Sequence, residues 1–100
     1  MARIIWTEPA LSELDEIADY ISLDNPNAAK TLVRSVFERI GLLADHPKSG
    51  KLVDEIDNSG YREIVLPPCR IFYRPEQDII YIIHVIREER LLHFDLLKSR

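Results

Sequence analysis

Apolar positions along this chain follow two different periods, and the change between them divides it into a helical half and a sheet half. Arg3-Ile4-Ile5-Trp6-Thr7 is a short run of β-branched and aromatic residues and predicts a first strand. Leu11, Leu14, Ile17, Ala18 and Ile21 then recur at helical spacing and form one stripe. Thr7 stands where an N-cap belongs, with Glu8 and Pro9 in the first turn, where negative charge and proline are favoured. Asn25-Pro26 breaks that helix and starts another, whose stripe is Ala29, Leu32, Val33, Val36, Phe37, Ile40 and Leu43 and which runs to about Ala44. So short a connection predicts antiparallel neighbours. Gly41 interrupts the stripe, and close helix packing is one reason a glycine would stand there.

Beyond His46-Pro47-Lys48-Ser49-Gly50 the period shortens. Residues 50–60 are polar and read as a surface loop. Three strands follow: Tyr61–Val65, Cys69–Arg74 and Ile79–Arg87. Pro67-Pro68 predicts a wide connection or a bulge between the first two, and Pro75-Glu76-Gln77-Asp78 a turn between the last two. Residues 79–86 are apolar on both faces except for Tyr81 and His84, which predicts a central strand covered on both sides, or covered on one side by a partner. Parity places Arg70 and Arg74 with Phe72, His84 with Ile80, Ile82 and Ile86, and Arg87 on the opposite face. Residues 88–100 are ambiguous; Leu91, Leu92, Phe94, Leu96 and Leu97 suit a short amphipathic C-terminal helix. The expected fold class is α+β, in the order β-α-α-β-β-β, with a helical hairpin on a small, mainly antiparallel sheet.

With 100 residues the chain is expected to be one domain, 1–100. No apolar run approaches the roughly 20 residues of a membrane span, and no basic stretch precedes an apolar one at the N-terminus. The single cysteine, Cys69, excludes an internal disulfide, fits a cytoplasmic location and reads as a small buried hydrophobe. The net charge of −4 argues against sequence-independent nucleic-acid binding. It is unevenly spread: Glu8, Glu13, Asp15, Glu16, Asp19 and Asp24 have no base among them, whereas the arginines gather after residue 61. That acidic run reads as a solvated helix face.

Candidate chemistry therefore lies in the C-terminal part. His46, His84 and His93 lack metal-ligand spacing, so no metal is expected, and no glycine-rich phosphate loop or nucleophile elbow exists to hold a cofactor or a catalytic serine. What remains is Arg62, Arg70, Arg74, His84, Arg87, Arg90 and His93. A metal-free RNA-cleaving site needs a base, an acid and cations for the phosphate. His84 or His93 could carry the proton, and Arg70, Arg87 or Arg90 clamp the phosphate. The same residues also read as ordinary pairs with Glu63, with the first helix's acids or with an acidic partner segment.

The order and spacing of several short motifs resemble the RelE/ParE superfamily of toxins from bacterial type II toxin–antitoxin modules. They are Trp6-Thr7-Glu8-Pro9-Ala10, Leu14 to Ile21, Asn25-Pro26-Asn27-Ala28-Ala29, His46 to Gly50, Gly60-Tyr61-Arg62-Glu63, Tyr73-Arg74 and Ile82 to Arg87, and the resemblance covers residues 4 to 92. The Trp-Thr step before the first helix, the P-x-x-G loop and the aromatic third strand are similar to the ParE branch. That branch implies a non-catalytic protein that inhibits DNA gyrase, serves plasmid stabilisation and needs no cofactor. It also implies neutralisation by a cognate antitoxin, through which alone the toxin reaches operator DNA. Arg70, Arg74, Arg87, Arg90, Leu91 and Leu92 are the expected antitoxin-binding residues. Under the RelE branch the chain would be a ribosome-dependent mRNA endonuclease using Arg62, Arg70, Arg87, His84 and His93, with Arg62 and Arg87 on basic positions of that branch and His93 near its late tyrosine. A third alternative is a degenerate relative without toxicity. Arg87-Glu88-Glu89-Arg90 departs from the His-Gly-Arg-Arg-like end of the ParE pattern.

Overall fold

A computed structural model describes residues 1–53 and 60–88. The readings made above on Arg90, Leu91, Leu92, His93 and a C-terminal helix lie outside the described residues, as does most of the 50–60 loop. Among the described residues the order is β1 (Arg3–Trp6), α1 (Glu8–Ser22), α2 (Pro26–Gly41), a 3₁₀ turn (Leu42–Ala44), β2 (Lys51–Leu52), β3 (Arg62–Leu66), β4 (Cys69–Glu76) and β5 (Ile79–Arg87). The five strands form one mixed sheet in the order β1-β5-β4-β3-β2. Only β1 and β5 run parallel. Both helices pack on one face of it, so the α+β class and the helical hairpin expected from the sequence are present.

The helix starts follow the local sequence. Thr7 Oγ1 accepts from the Ala10 N–H and donates to the Ile82 carbonyl at 2.7 Å, so one hydroxyl caps α1 and ties it to β5. The Asn25 side chain accepts from the Ala28 N–H at 3.1 Å, and Pro26 opens α2. The core is Ala10, Leu14 and Ile17 of α1 and Leu32, Val36 and Ile40 of α2, closed over Ile64, Ile71, Tyr73, Ile80, Ile82 and Val85 of the sheet. Leu11 and Phe37 depart from the expected stripes: each is 43% exposed, and Phe37 is held instead against Trp6, ring centroids 4.8 Å apart.

Four other expectations change. Residues 50–60 are not all loop, because Lys51 and Leu52 pair with Glu63 and Arg62 as β2. The β3–β4 connection is a tight turn: Leu66 pairs with Cys69 across a cis Pro67–Pro68 peptide. Pro75 and Glu76 belong to β4 and only Gln77 and Asp78 make the β4–β5 turn; β3 stops opposite Tyr73, so the missing Pro75 N–H interrupts no ladder. Helix packing does not explain Gly41, since a β-carbon there would meet nothing within 4 Å. Its backbone is helical, at φ −56° and ψ −30°. Gly41→Ala is therefore expected to raise stability by about 0.5–1 kcal/mol through the unfolded chain alone, read as a higher urea midpoint.

Candidate functional site

The sheet has two unlike faces, and the arginines divide between them. On the face away from the helices, Arg70, Phe72 and Arg74 of β4 alternate with the buried Cys69, Ile71 and Tyr73. Cross-strand register adds Ile86 beside Arg70, His84 beside Phe72, Tyr81 beside Arg74 and Ile79 beside Glu76, all from β5, with Ile5 of β1 beside Tyr81. Val65 and Glu63 of β3 continue it on the other side. The buried residues of both helices pack against the other face, and Glu13 of α1 reaches this one only at its edge, at His84. The face away from the helices is an apolar band set with two guanidinium groups.

Those guanidinium groups are held but not saturated. Arg70 pairs with Glu63 and lies over the Phe72 ring, 5.2 Å from its centroid. Arg74 pairs with Glu76 and lies 5.7 Å from the Tyr61 centroid. Each leaves its Nε buried with no hydrogen-bond partner among the described residues. A buried donor without an acceptor is costly, so an arriving carboxylate or carbonyl that reaches it gains more than an ordinary surface contact would give.

Arg62 and Arg87 are on the other face. Arg62 is paired with Tyr73, whose side chain points into the core, and its Nη1 donates to the carbonyls of Lys48 and Gly50 at 3.1 and 2.7 Å. Arg62 thus fastens the 46–50 loop to the sheet. Arg87 is paired with Cys69 and its guanidinium lies over the Tyr20 ring of α1, 4.7 Å from the centroid. Burial raises the Cys69 thiol above its usual pKa, with Arg87 offsetting part of the effect.

His84 is set by an irregularity the sequence did not announce. Phe72 pairs with His84 and Tyr73 with Ile82, so Ile83 is an extra residue on β5. The bulge breaks parity: Ile80 and Ile82 are buried, while the His84 side chain is 50% exposed. It meets the Glu13 carboxylate at 3.1 Å, and that carboxylate also accepts the Val85 N–H at 3.0 Å. β1 ends opposite Ile82, so Glu13 occupies the edge of β5 where the next strand would have continued. The spacing suits this: Glu13 to Tyr20 is two helical turns, about 10 Å, and His84 to Arg87 is three strand residues, also about 10 Å.

Sequence reasoning missed Tyr73. Its hydroxyl donates to the Pro47 carbonyl at 2.8 Å and accepts from the Gly50 N–H at 2.9 Å, with the side chain fully buried. The signal was present: a tyrosine in register with Cys69 and Ile71 on a buried face needs partners for its hydroxyl. Among the described residues no group of three or more His, Cys, Asp or Glu could hold a metal ion.

A helical hairpin on one side of a five-stranded sheet, and an arginine-set apolar band on the other, define a small binding scaffold whose open face suits a protein partner. The family model described as the ParE toxin of the type II toxin–antitoxin system parDE matches residues 4–92. The chain belongs to that family of toxins. It is 32% identical over 92 residues to a protein named Toxin RelE2 of Caulobacter vibrioides, covering 91% of this chain and all of that one. It is 40% identical over 79 residues to a putative toxin, Y4kP, of Sinorhizobium fredii, covering 77% of this chain and 79% of that one. A solved structure titled as the chromosomal ParDE toxin–antitoxin system from P. aeruginosa superposes with a TM-score of 0.70 at 26% identity, over 87% of this chain and 96% of that one. No helix among the described residues is long and apolar enough to cross a membrane.

Proposed function

We propose that this toxin acts by binding DNA gyrase, without catalysis of its own, and that its antitoxin silences it by laying an acidic, amphipathic segment across the open sheet face. The gyrase reading rests on the ParE family match, and the absence of catalysis on the division of the cations. Arg62 and Arg87 face the helices, Arg70 and Arg74 face away, and His84 is engaged by Glu13 at the sheet edge. An RNA-cleaving site needs its base and its phosphate clamps within reach of one bond; the sheet puts Arg62 and Arg87 on the opposite face from Arg70 and Arg74, and His84, in register with Phe72 on the Arg70 face, is engaged by Glu13. The second part rests on the apolar band around Phe72, Tyr81 and Ile86 and on the unsatisfied Nε atoms of Arg70 and Arg74, which together call for apolar side chains spaced between acceptors. Operator DNA would be reached through the antitoxin alone, and the cytoplasm, where gyrase acts, would be the site of both contacts.

A supercoiling assay with purified gyrase tests the target. Addition of the chain is expected to abolish supercoiling while leaving ribosome-bound mRNA intact, and addition of the antitoxin to restore it. Ribosome-dependent cuts that disappear in Arg87→Ala would sink this reading in favour of an mRNA endonuclease. Unimpaired growth on expression of a folded, stable chain would point instead to a relative that has lost its toxicity.

A further inference from the structure

The outer face of the helical hairpin, turned away from the sheet, carries two ordered rows of exposed residues. Leu11, Asp15 and Asp19 recur every four residues along α1, and Lys30, Arg34 and Phe37 recur at the spacing of one stripe along α2. Each row lies on the side of its helix away from the buried stripe, which is Ala10, Leu14 and Ile17 on α1 and Ala29, Leu32, Val36 and Ile40 on α2. The arginine-bearing face lies on the other side of the sheet, so the antitoxin contact proposed above does not use these rows.

The hairpin brings the two rows into step. Its helices are antiparallel, α1 ending at Ser22 and α2 beginning at Pro26. Equal steps back from Ser22 and forward from Pro26 put Leu11 level with Phe37, Asp15 beside the level of Arg34, and Asp19 beside that of Lys30. The contact of Trp6, just ahead of α1, with the Phe37 ring agrees with that level. The face is therefore apolar at one end and charged at the other, with acids on α1 and bases on α2. Among the described residues none of Asp15, Asp19, Lys30 and Arg34 belongs to an ion pair. At the apolar end Leu11 and Phe37 are each 43% exposed.

We propose that this face pairs with the same face of a second copy of the chain, about a two-fold axis running parallel to the hairpin. That axis sets α1 of one chain on α2 of the other and keeps the levels. Asp15 and Asp19 of one chain meet Arg34 and Lys30 of the other, Leu11 meets Phe37, and every contact is made twice. Turning the second copy end for end would stack α1 on α1, with Asp15 on Asp15 and each apolar end on a charged one, so the pattern selects the first arrangement. Helices of 15 and 16 residues side by side present a face of about 22 Å by about 20 Å. A contact of that size is at the low end for specific pairing, so a dissociation constant on the order of 10–100 μM is expected.

Sedimentation velocity on the full-length chain tests it, over a concentration range of roughly a hundredfold centred on that value. The wild type is expected to pass from monomer to dimer. Asp15→Arg and Arg34→Asp are each expected to weaken the dimer by at least roughly tenfold, because each creates a like-charge contact twice over. Both changes in one chain are expected to return the affinity to within about threefold of wild type, since the pair re-forms with its signs exchanged. That recovery also shows that neither change acts by unfolding the chain. Three results overturn the proposal: a wild type that stays monomeric throughout, a dimer that neither single change weakens, or a double variant no tighter than the single ones.

Discussion

Changing Arg70 and Arg74 together to glutamine is expected to weaken antitoxin binding by roughly a hundredfold, since each charge-assisted hydrogen bond is worth about 1.5–3 kcal/mol and every 1.4 kcal/mol is tenfold. Glutamine keeps much of each aliphatic stem and removes the guanidinium, so the change reads charge and hydrogen bonding more than shape. The two sites are unequal. Glu63, the partner of Arg70, has a side chain only 11% exposed and would be left short of its cation, whereas Glu76, the partner of Arg74, is 47% exposed and returns to water. Arg74→Gln alone therefore isolates the contribution to binding with little cost to the fold. Titration calorimetry with the antitoxin, run beside a thermal melt, separates the two effects. An affinity within twofold of wild type for the double variant would remove the open sheet face from the antitoxin interface.

The second large effect is on stability and concerns the loop that Tyr73 and Arg62 hold. A β-carbon at Gly50 would lie 2.6 Å from the Tyr73 hydroxyl and 2.8 Å from the Glu63 carbonyl. The second contact is backbone and cannot swing aside. Gly50→Ala is expected to destabilise by about 1–3 kcal/mol, the usual cost of overpacking. Tyr73→Phe tests the same joint from the other side, leaving the buried Gly50 N–H without its acceptor at a cost of about 1–3 kcal/mol. The hydroxyl also sets an alkaline limit. Burial raises the Tyr73 pKa above its ordinary value of 10.0, against lowering by the Gly50 N–H and by Arg62 and Arg39. The folded state thus holds the phenol proton more tightly than the unfolded chain does. That contribution is whole below pH 10 and is lost as pH climbs through the raised value. Urea midpoints measured from pH 8 to 11 should fall at the alkaline end in the wild type and fall less in Tyr73→Phe, from a lower start. Parallel curves would mean that Tyr73 does not control the limb.

Local sequence made the helical half of this fold legible because each of its decisions is made locally. Thr7 and Asn25 cap, Pro9 and Pro26 open, and the buried residues of α2 fall on the period read from the chain. The sheet half depends on what lies beside each strand, and there the reading failed at particular residues. Lys51 and Leu52 carry no strand pattern; they pair because Arg62 and Glu63 are presented to them. The extra residue at Ile83 reverses parity between Tyr81 and His84, and their spacing of three along one strand is the only mark it leaves in the sequence. For the same reason the arginines were a list and not a site. Arg70 and Arg74 were placed correctly with Phe72 because all three share one strand. Placing Arg62 and Arg87 against them required the register of β3 on β4 and of β4 on β5, which no spacing within one segment reveals.

The borders of the sheet bear on how such a protein survives being made before its neutraliser arrives. Among the described residues β2 pairs through two residues and β1 through four, and past Ile82 the flank of β5 is closed by a carboxylate from α1. Such borders offer a neighbouring copy little backbone to zip onto, which keeps newly made chains from stacking into fibres. If the antitoxin docks on the open face as proposed, its selectivity would fall to side chains on that broad surface rather than to backbone pairing at the borders.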